Sequence, residues 1–198
     1  MSSAIRDVGE TLIELLRTAL AVALPSVPSQ QIDLMSPAEK TANTRLTLFL
    51  YSVAPTSELR NEMEIPGITI DDEPVSMPVD LYYLMTAFSP LAEPSSRNLD
   101  AQLLLGHAMR VFFENGILVG SVLRGNLPRD EEIRLTLQPV TVEDLTRVWS
   151  VFPDTILQTS VSYVVTPVRL RSTATRGGQR VVTRQSDIDH VVPIGRTL

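Results

Sequence analysis

The first hydrophobic pattern along the chain has helical spacing. Between Ser3 and Leu20, the residues Ile5, Val8, Leu12, Leu15, Leu16 and Ala19 share one face, while Arg6, Glu10, Glu14 and Arg17 fall largely off it. This predicts an amphipathic helix, capped by Ser2 or Ser3 and stopped by Pro25 and Pro28. The period then changes to two. Gln31–Leu34 is a short strand candidate, and Arg45–Val53 (RLTLFLYSV) is a stronger one. Leu46, Leu48 and Leu50 alternate there with Thr47, Phe49 and Tyr51, and both faces are largely apolar, which predicts a central strand covered on both sides. Val79–Ser89 (VDLYYLMTAFS) reads as another buried strand, ended by Pro90 and Pro94.

Helical spacing returns between Asn98 and Asn115. Leu99, Leu103, Leu104, Ala108, Val111 and Phe112 are placed for one face, Ser96 or Asn98 can cap the start, Asp100 suits the first turn, and Gly116 fits the position just past the end. Ile117–Leu123 predicts a short strand or turn, and Ile133–Leu137 (IRLTL) a half-buried strand. Thr141–Phe152 predicts a further helix, with Thr141 and Asp144 spaced as a capping box and Leu145, Val148, Trp149 and Phe152 as its apolar stripe. Ser160–Leu170 predicts a strand with Val161, Tyr163 and Val165 on one face. Pro167 cannot donate to a ladder, so this strand is expected at an edge or leaving the sheet.

Two stretches break the pattern. Pro55–Pro78 has no period and gathers acids (Glu58, Glu62, Glu64, Asp71, Asp72, Glu73) against Arg60 alone, with Ile65, Ile68 and Ile70 as a short strand candidate inside it. From Arg169 to Arg184 there are five arginines (Arg169, Arg171, Arg176, Arg180, Arg184) and no acid, and Gly177-Gly178 marks a hairpin turn between Thr/Val/Arg-rich runs. Residues 169–198 carry six arginines against two aspartates, or +4, so the formal charge of −6 for the 198 residues leaves −10 on residues 1–168. An acidic body with a basic arm suits an acidic protein surface, such as the Pro55–Pro78 loop of a neighbouring copy. The expected contacts are Glu62, Glu64, Asp71, Asp72 and Glu73 on one side and the five arginines on the other.

Composition narrows the function classes. With no cysteine, disulfide frameworks, thiolate metal sites and cysteine nucleophiles are excluded. His107 and His190 are the whole imidazole supply, so a site of several histidines is excluded too. No G-x-S-x-G elbow, phosphate-binding loop or dinucleotide fingerprint is present. Asp187, Asp189 and His190 form a D-x-D-H cluster of metal-ligand types, best read as a polar chain end. Asp71, Asp72 and Glu73 are best read as a solvated surface rather than as catalytic carboxylates. The acidic body argues against nucleic acid as a partner. Leu12–Leu24 is too short and too charged to span a membrane, and Asp7 and Glu10 stand where a signal peptide would be basic, so cytoplasmic synthesis is expected, with no direct membrane insertion.

The order of segments resembles the N-terminal domain of the cap, or tail-terminator, family of phage-tail-like extracellular contractile injection systems. The resemblance runs from Ala4–Leu16 (AIRDVGETLIELL) and Arg45–Val53 through Pro78–Ser89 (PVDLYYLMTAFS), which carries it most, to Leu99–Leu118, Ile133–Phe152 and Ser160–Leu170. It implies a homohexameric ring closing the baseplate-distal end of a particle, in contact with inner tube protein and sheath protein, with no enzymatic activity and no cofactor. It carries no motif that assigns functional residues. The alternatives are another ring or connector subunit of a tail-like particle, or a small enzyme with an unrecognised site. The expected architecture is a single α+β domain over residues 1–170, a mixed sheet of about five strands packed by three helices, followed by a basic C-terminal β-hairpin arm over residues 171–198.

Overall fold

The computed structural model describes residues 3–57, 76–152 and 155–171. Three helices, α1 (Ala4–Ala23), α2 (Pro94–Glu114) and α3 (Val142–Trp149), accompany six strands: β1 (Ile32–Asp33), β2 (Leu46–Pro55), β3 (Ser76–Ala87), β4 (Ile117–Leu118), β5 (Ile133–Gln138) and β6 (Ser160–Arg171). The strands form one sheet in the order β1-β2-β3-β6-β5-β4, curled as a half-barrel. Only β1 and β2 run parallel, and all other neighbours are antiparallel, so the α+β reading with a mixed sheet holds.

The core lies on the inner face. Leu46 and Leu48 of β2, Leu81, Tyr83 and Met85 of β3, Ile133 and Leu135 of β5 and Tyr163 and Val165 of β6 meet Val8, Leu12, Leu16 and Leu20 of α1 and Leu104, Ala108, Val111 and Phe112 of α2. Of the predicted α1 stripe, Val8, Leu12 and Leu16 are buried and Ile5, Leu15 and Ala19 partly so, and Ile13 and Leu20 join them in the core. Phe112 stands edge-to-face on Tyr163, with ring centroids 5.0 Å apart. Gly9 lets α1 approach closely: a Cβ there would lie 2.9 Å from Leu34 Cδ2 and 3.6 Å from the Tyr83 hydroxyl.

The outer face is different in character. Hydroxyls link strands: Tyr51 of β2 reaches across β3 to Ser162 of β6 at 2.9 Å, and Thr86 of β3 meets Ser160 of β6 at 2.8 Å. Asp80 accepts from both Thr56 and Thr166. At one end Phe152, just after α3, packs on Phe49 with centroids 5.7 Å apart, and the buried Trp149 packs on Phe152. So β2 is not apolar on two faces along its length. Its first three residues are buried, whereas Ser52 and Val53 are exposed. β1 covers only Leu46 and Thr47, which leaves the rest of its outer edge without a strand among the described residues.

The placement of β6 overturns an expectation. It lies inside the sheet, between β3 and β5, not at an edge. Pro167 is accommodated because two pairings change there. The β3 register shifts between Val79 and Leu81, and pairing with β5 stops at Thr166. A missing N–H at a bulge where one neighbour has ended removes no regular ladder bond.

The start of α2 is also corrected. α2 begins at Pro94, four residues before Asn98, because proline is preorganised for the first helical position and Glu93 caps it. The Glu93 carboxylate accepts from the N–H groups of Ser95 (3.1 Å) and Ser96 (2.6 Å), which hold its pKa below the ordinary value. Asp100 thus sits beyond the first turn and receives the Arg45 guanidinium at 2.7 Å instead. Leu99 and Leu103 were placed on the buried face and are exposed, whereas Leu105 is buried. At α3, Thr141 accepts from the Asp144 N–H at 3.1 Å as expected, but its hydroxyl also donates to the Asp144 carboxylate, so the reciprocal half of the box is not formed.

Candidate interaction surfaces

Of the residues expected at an interface, Arg169 and Arg171 lie in β6. Glu62, Glu64, Asp71, Asp72, Glu73, Arg176, Arg180 and Arg184 lie outside the described residues, as do Asp187, Asp189, His190 and the expected hairpin. His107 is half-buried on α2, with Nδ1 3.5 Å from Arg110 Nη2. Among the described residues, no cluster of three or more His, Asp or Glu is arranged to hold a metal ion, and no helix is long and apolar enough to cross a membrane.

The acid facing Arg169 and Arg171 within the chain is Glu131, which the sequence reading passed over. Its side chain is 7% exposed. The Arg169 backbone N–H and the guanidinium groups of Arg169 and Arg171 act on its carboxylate favourably. Oε1 has no hydrogen-bond partner among the described residues. Burial wins, and the Glu131 pKa is pushed above its ordinary value of 4.5, against the lowering effect of the Arg169 N–H and the two arginines, with Asp130 adding to the rise. The sign follows from linkage: the folded state holds this proton more tightly than the unfolded chain, so stability falls as pH rises from the ordinary carboxyl range through the raised folded value. Glu131→Gln keeps an acceptor for the Arg169 N–H and removes the buried charge. The variant is expected to be more stable than the wild type at pH 7 and equally stable at pH 3, read from urea midpoints at the two values.

A second polar site anchors the start of α1. Asp7 is 3% exposed, accepts from Ser3 Oγ at 2.6 Å and from the Asn126 N–H at 2.9 Å, and faces a turn at Gly125 with φ +64°. One helical turn on, Thr11 Oγ1 donates to the Asp7 carbonyl at 2.7 Å and accepts from the Arg124 N–H at 2.9 Å. The loop between β4 and β5 is thus tied to α1 by side chains that the apolar stripe does not include.

Two groups of exposed apolar side chains stand out among the described residues. One lies on α2 and the strand beyond it, where Leu99, Leu103, Phe113 and Ile117 are exposed. Phe113 (86% exposed) borders a groove of about 660 Å³ between the end of α2 and β5, floored by Phe112, Leu135 and Tyr163 and closed by Leu137. The spacing Leu99, Leu103, Gly106, Arg110, Phe113 forms a second helical stripe beside the buried one, a signal present in the sequence. The other patch follows α3 on the outer side of the sheet, where Val142, Val151, Ile156 and Leu157 are exposed.

A family model described as the Pvc16 N-terminal domain matches residues 7–184. Among solved structures, the fold is similar to the sheath/tube terminator of the PVC extracellular contractile injection system in its extended state, at 19% identity and a TM-score of 0.50, over 93% of this chain and 64% of that one. It is also similar to the anti-feeding prophage cap, described as the AFP tube terminating cap, at 14% identity and a TM-score of 0.53, over 86% of this chain and 59% of that one. The chain therefore spans less than two thirds of the length of either structure. A search of curated protein sequences finds no match.

Proposed function

The chain belongs to the Pvc16 N-terminal domain family, and from that premise we propose that it is a structural cap subunit, a tail terminator that closes the baseplate-distal end of a contractile injection particle. The observation that carries this reading is the family match over residues 7–184, supported by one fold shared with a PVC sheath/tube terminator and an anti-feeding prophage cap. In this reading the chain acts by shape and adhesion. Copies of it form a ring, a hexamer, whose faces meet the inner tube protein and the sheath protein. It turns over no substrate and uses no cofactor. Residues 1–170 form the body and residues 171–198 a basic arm, and the acids of residues 62–73 meet the arm arginines of a neighbour. Each exposed pair contributes at most about 1 kcal/mol, so the pairs set register while apolar contacts carry affinity.

The test is imaging of particles from a strain lacking the chain, complemented by the wild type or by a variant with Arg176, Arg180 and Arg184 changed to glutamate. Loss of the chain is expected to give tubes of uncontrolled length or sheaths that detach, with the defect repaired by the wild type. Normal, capped particles in its absence would overturn the cap reading. A defect confined to one internal junction would make the chain a connector. Full repair by the glutamate variant would remove the arm from the interface.

A further inference from the structure

α3 is an excursion between two strands that are already partners. β5 ends at Gln138 and β6 begins at Ser160, and Gln138 pairs with Ser162. The backbone is irregular on both sides of the helix, at residues 139–141 and 155–159. The ladder closes without α3, so the helix can move and break no strand pairing. Little holds it down. Trp149 is its one buried residue, and its path to the sheet runs through ring edges, Trp149 on Phe152 and Phe152 on Phe49. Among the described residues, the hydrogen bonds and ion pairs of residues 141–152 run only to one another: the Thr141 cap, the Thr146 and Ser150 hydroxyls, and Arg147 with Glu143 and Asp144. A cleft of about 430 Å³ lies between Leu145 and the ends of β5 and β6. The indole Nε1 of Trp149 is buried with no acceptor, and so is the hydroxyl of Thr47, which shares the outer face of β2 with Phe49. Orphaned polar groups of this kind penalise the closed arrangement, and water satisfies them once it opens.

We propose that α3 is a hinged flap on the outer face, which opens as a unit while the sheet and the inner core stay intact. Opening bares Phe49 and, beside it in the β2–β3 register, Leu84, which is 1% exposed yet stands apart from the inner core. It also frees the Trp149 and Phe152 rings that the flap carries. The subunit thus has two outer faces, one closed over its aromatic rings and one apolar. A contact made on that face can be permitted in one state and refused in the other, by as much as it favours one of them. The device belongs to the single subunit and does not depend on the cap reading.

The chain has no cysteine, so single thiols can be placed at will. Leu84→Cys and Met85→Cys, in the full-length protein, put a thiol on opposite faces of β3 at adjacent buried positions. Under native conditions a thiol reagent is expected to label Leu84→Cys roughly tenfold faster than Met85→Cys, because the first needs only the flap to open and the second needs the core to open. Adding Phe152→Ala removes the middle ring of the stack and is expected to speed labelling of Leu84→Cys by about tenfold more, with Met85→Cys unchanged. Hydrogen exchange on the unsubstituted chain provides a reading free of any variant. The amides of residues 142–149 are expected to open together, faster than those of β3 and β6. Equal labelling of the two thiols, or α3 amides that exchange only as fast as those of β6, would overturn the flap and leave the cap reading intact.

Discussion

Gly125→Ala is expected to lower the stability of the domain by about 3 kcal/mol and its Tm by about 6–12 °C. Two costs add. At φ +64° an alanine pays about 1–2 kcal/mol for the left-handed backbone. Its Cβ would also stand 2.3 Å from Asp7 Cγ, with both carboxylate oxygens almost as close. Either the turn or Asp7 must move, and the bonds from Ser3 and Asn126 to a buried carboxylate are then strained or lost. Urea unfolding measures the loss, and a double-mutant cycle apportions it. In the Asp7→Ala background the obstruction is gone, so Gly125→Ala is expected to cost only its backbone part. An equal cost in both backgrounds would locate the whole effect in the backbone and would clear Asp7. Glycine at position 9 makes a useful contrast. A Cβ there meets only the mobile end of Leu34 at short range, so close packing is present without a conformation reserved for glycine.

Phe112→Ala is expected to cost about 4 kcal/mol, whereas Phe113→Ala, one residue on, is expected to change subunit stability by less than about 0.5 kcal/mol. Phe112 is fully buried on Tyr163 at the junction of α2 with β5 and β6, so truncation removes apolar burial and a ring contact and leaves a cavity. The groove that Phe113 borders lies directly above, so the cavity would open into it. Denaturant titration of the two variants checks the pair. A large loss in Phe113→Ala would show that this ring supports the fold of the single subunit. A small one, joined to weakened assembly, places its work between subunits.

That pair of adjacent phenylalanines also shows how far a sequence can be read. The spacing of α2 presents two apolar stripes, and nothing local says which one the sheet covers. Leu103 and Leu105 are equally suited to a core by chemistry, and the direction from which β3 and α1 approach decides between them. Several elements were legible: α1 from its stripe and its stopping prolines, β3 from its β-branched and aromatic content, β5 from alternation, and α3 from its threonine cap. Pro94 was ambiguous, since a proline ends a strand as readily as it opens a helix, and Glu93 is a less common cap than serine. Pro167 misled because the rule against proline in a sheet holds for continuous ladders, and the local breaks that admit it are set by β3 and β5, distant in sequence. Asp7 and Glu131 were invisible as buried acids because the groups around them, the Asn126 N–H for Asp7 and the end of β6 for Glu131, are distant in sequence.

The position of β6 bears on how the domain would carry load. Its last residues pair with the first residues of β3, and its earlier part is gripped on both sides by β3 and β5. A pull applied at Arg171 along the strand meets many hydrogen bonds at once, in shear, instead of peeling them singly from a sheet margin. A tension applied there would pass straight into the centre of the fold.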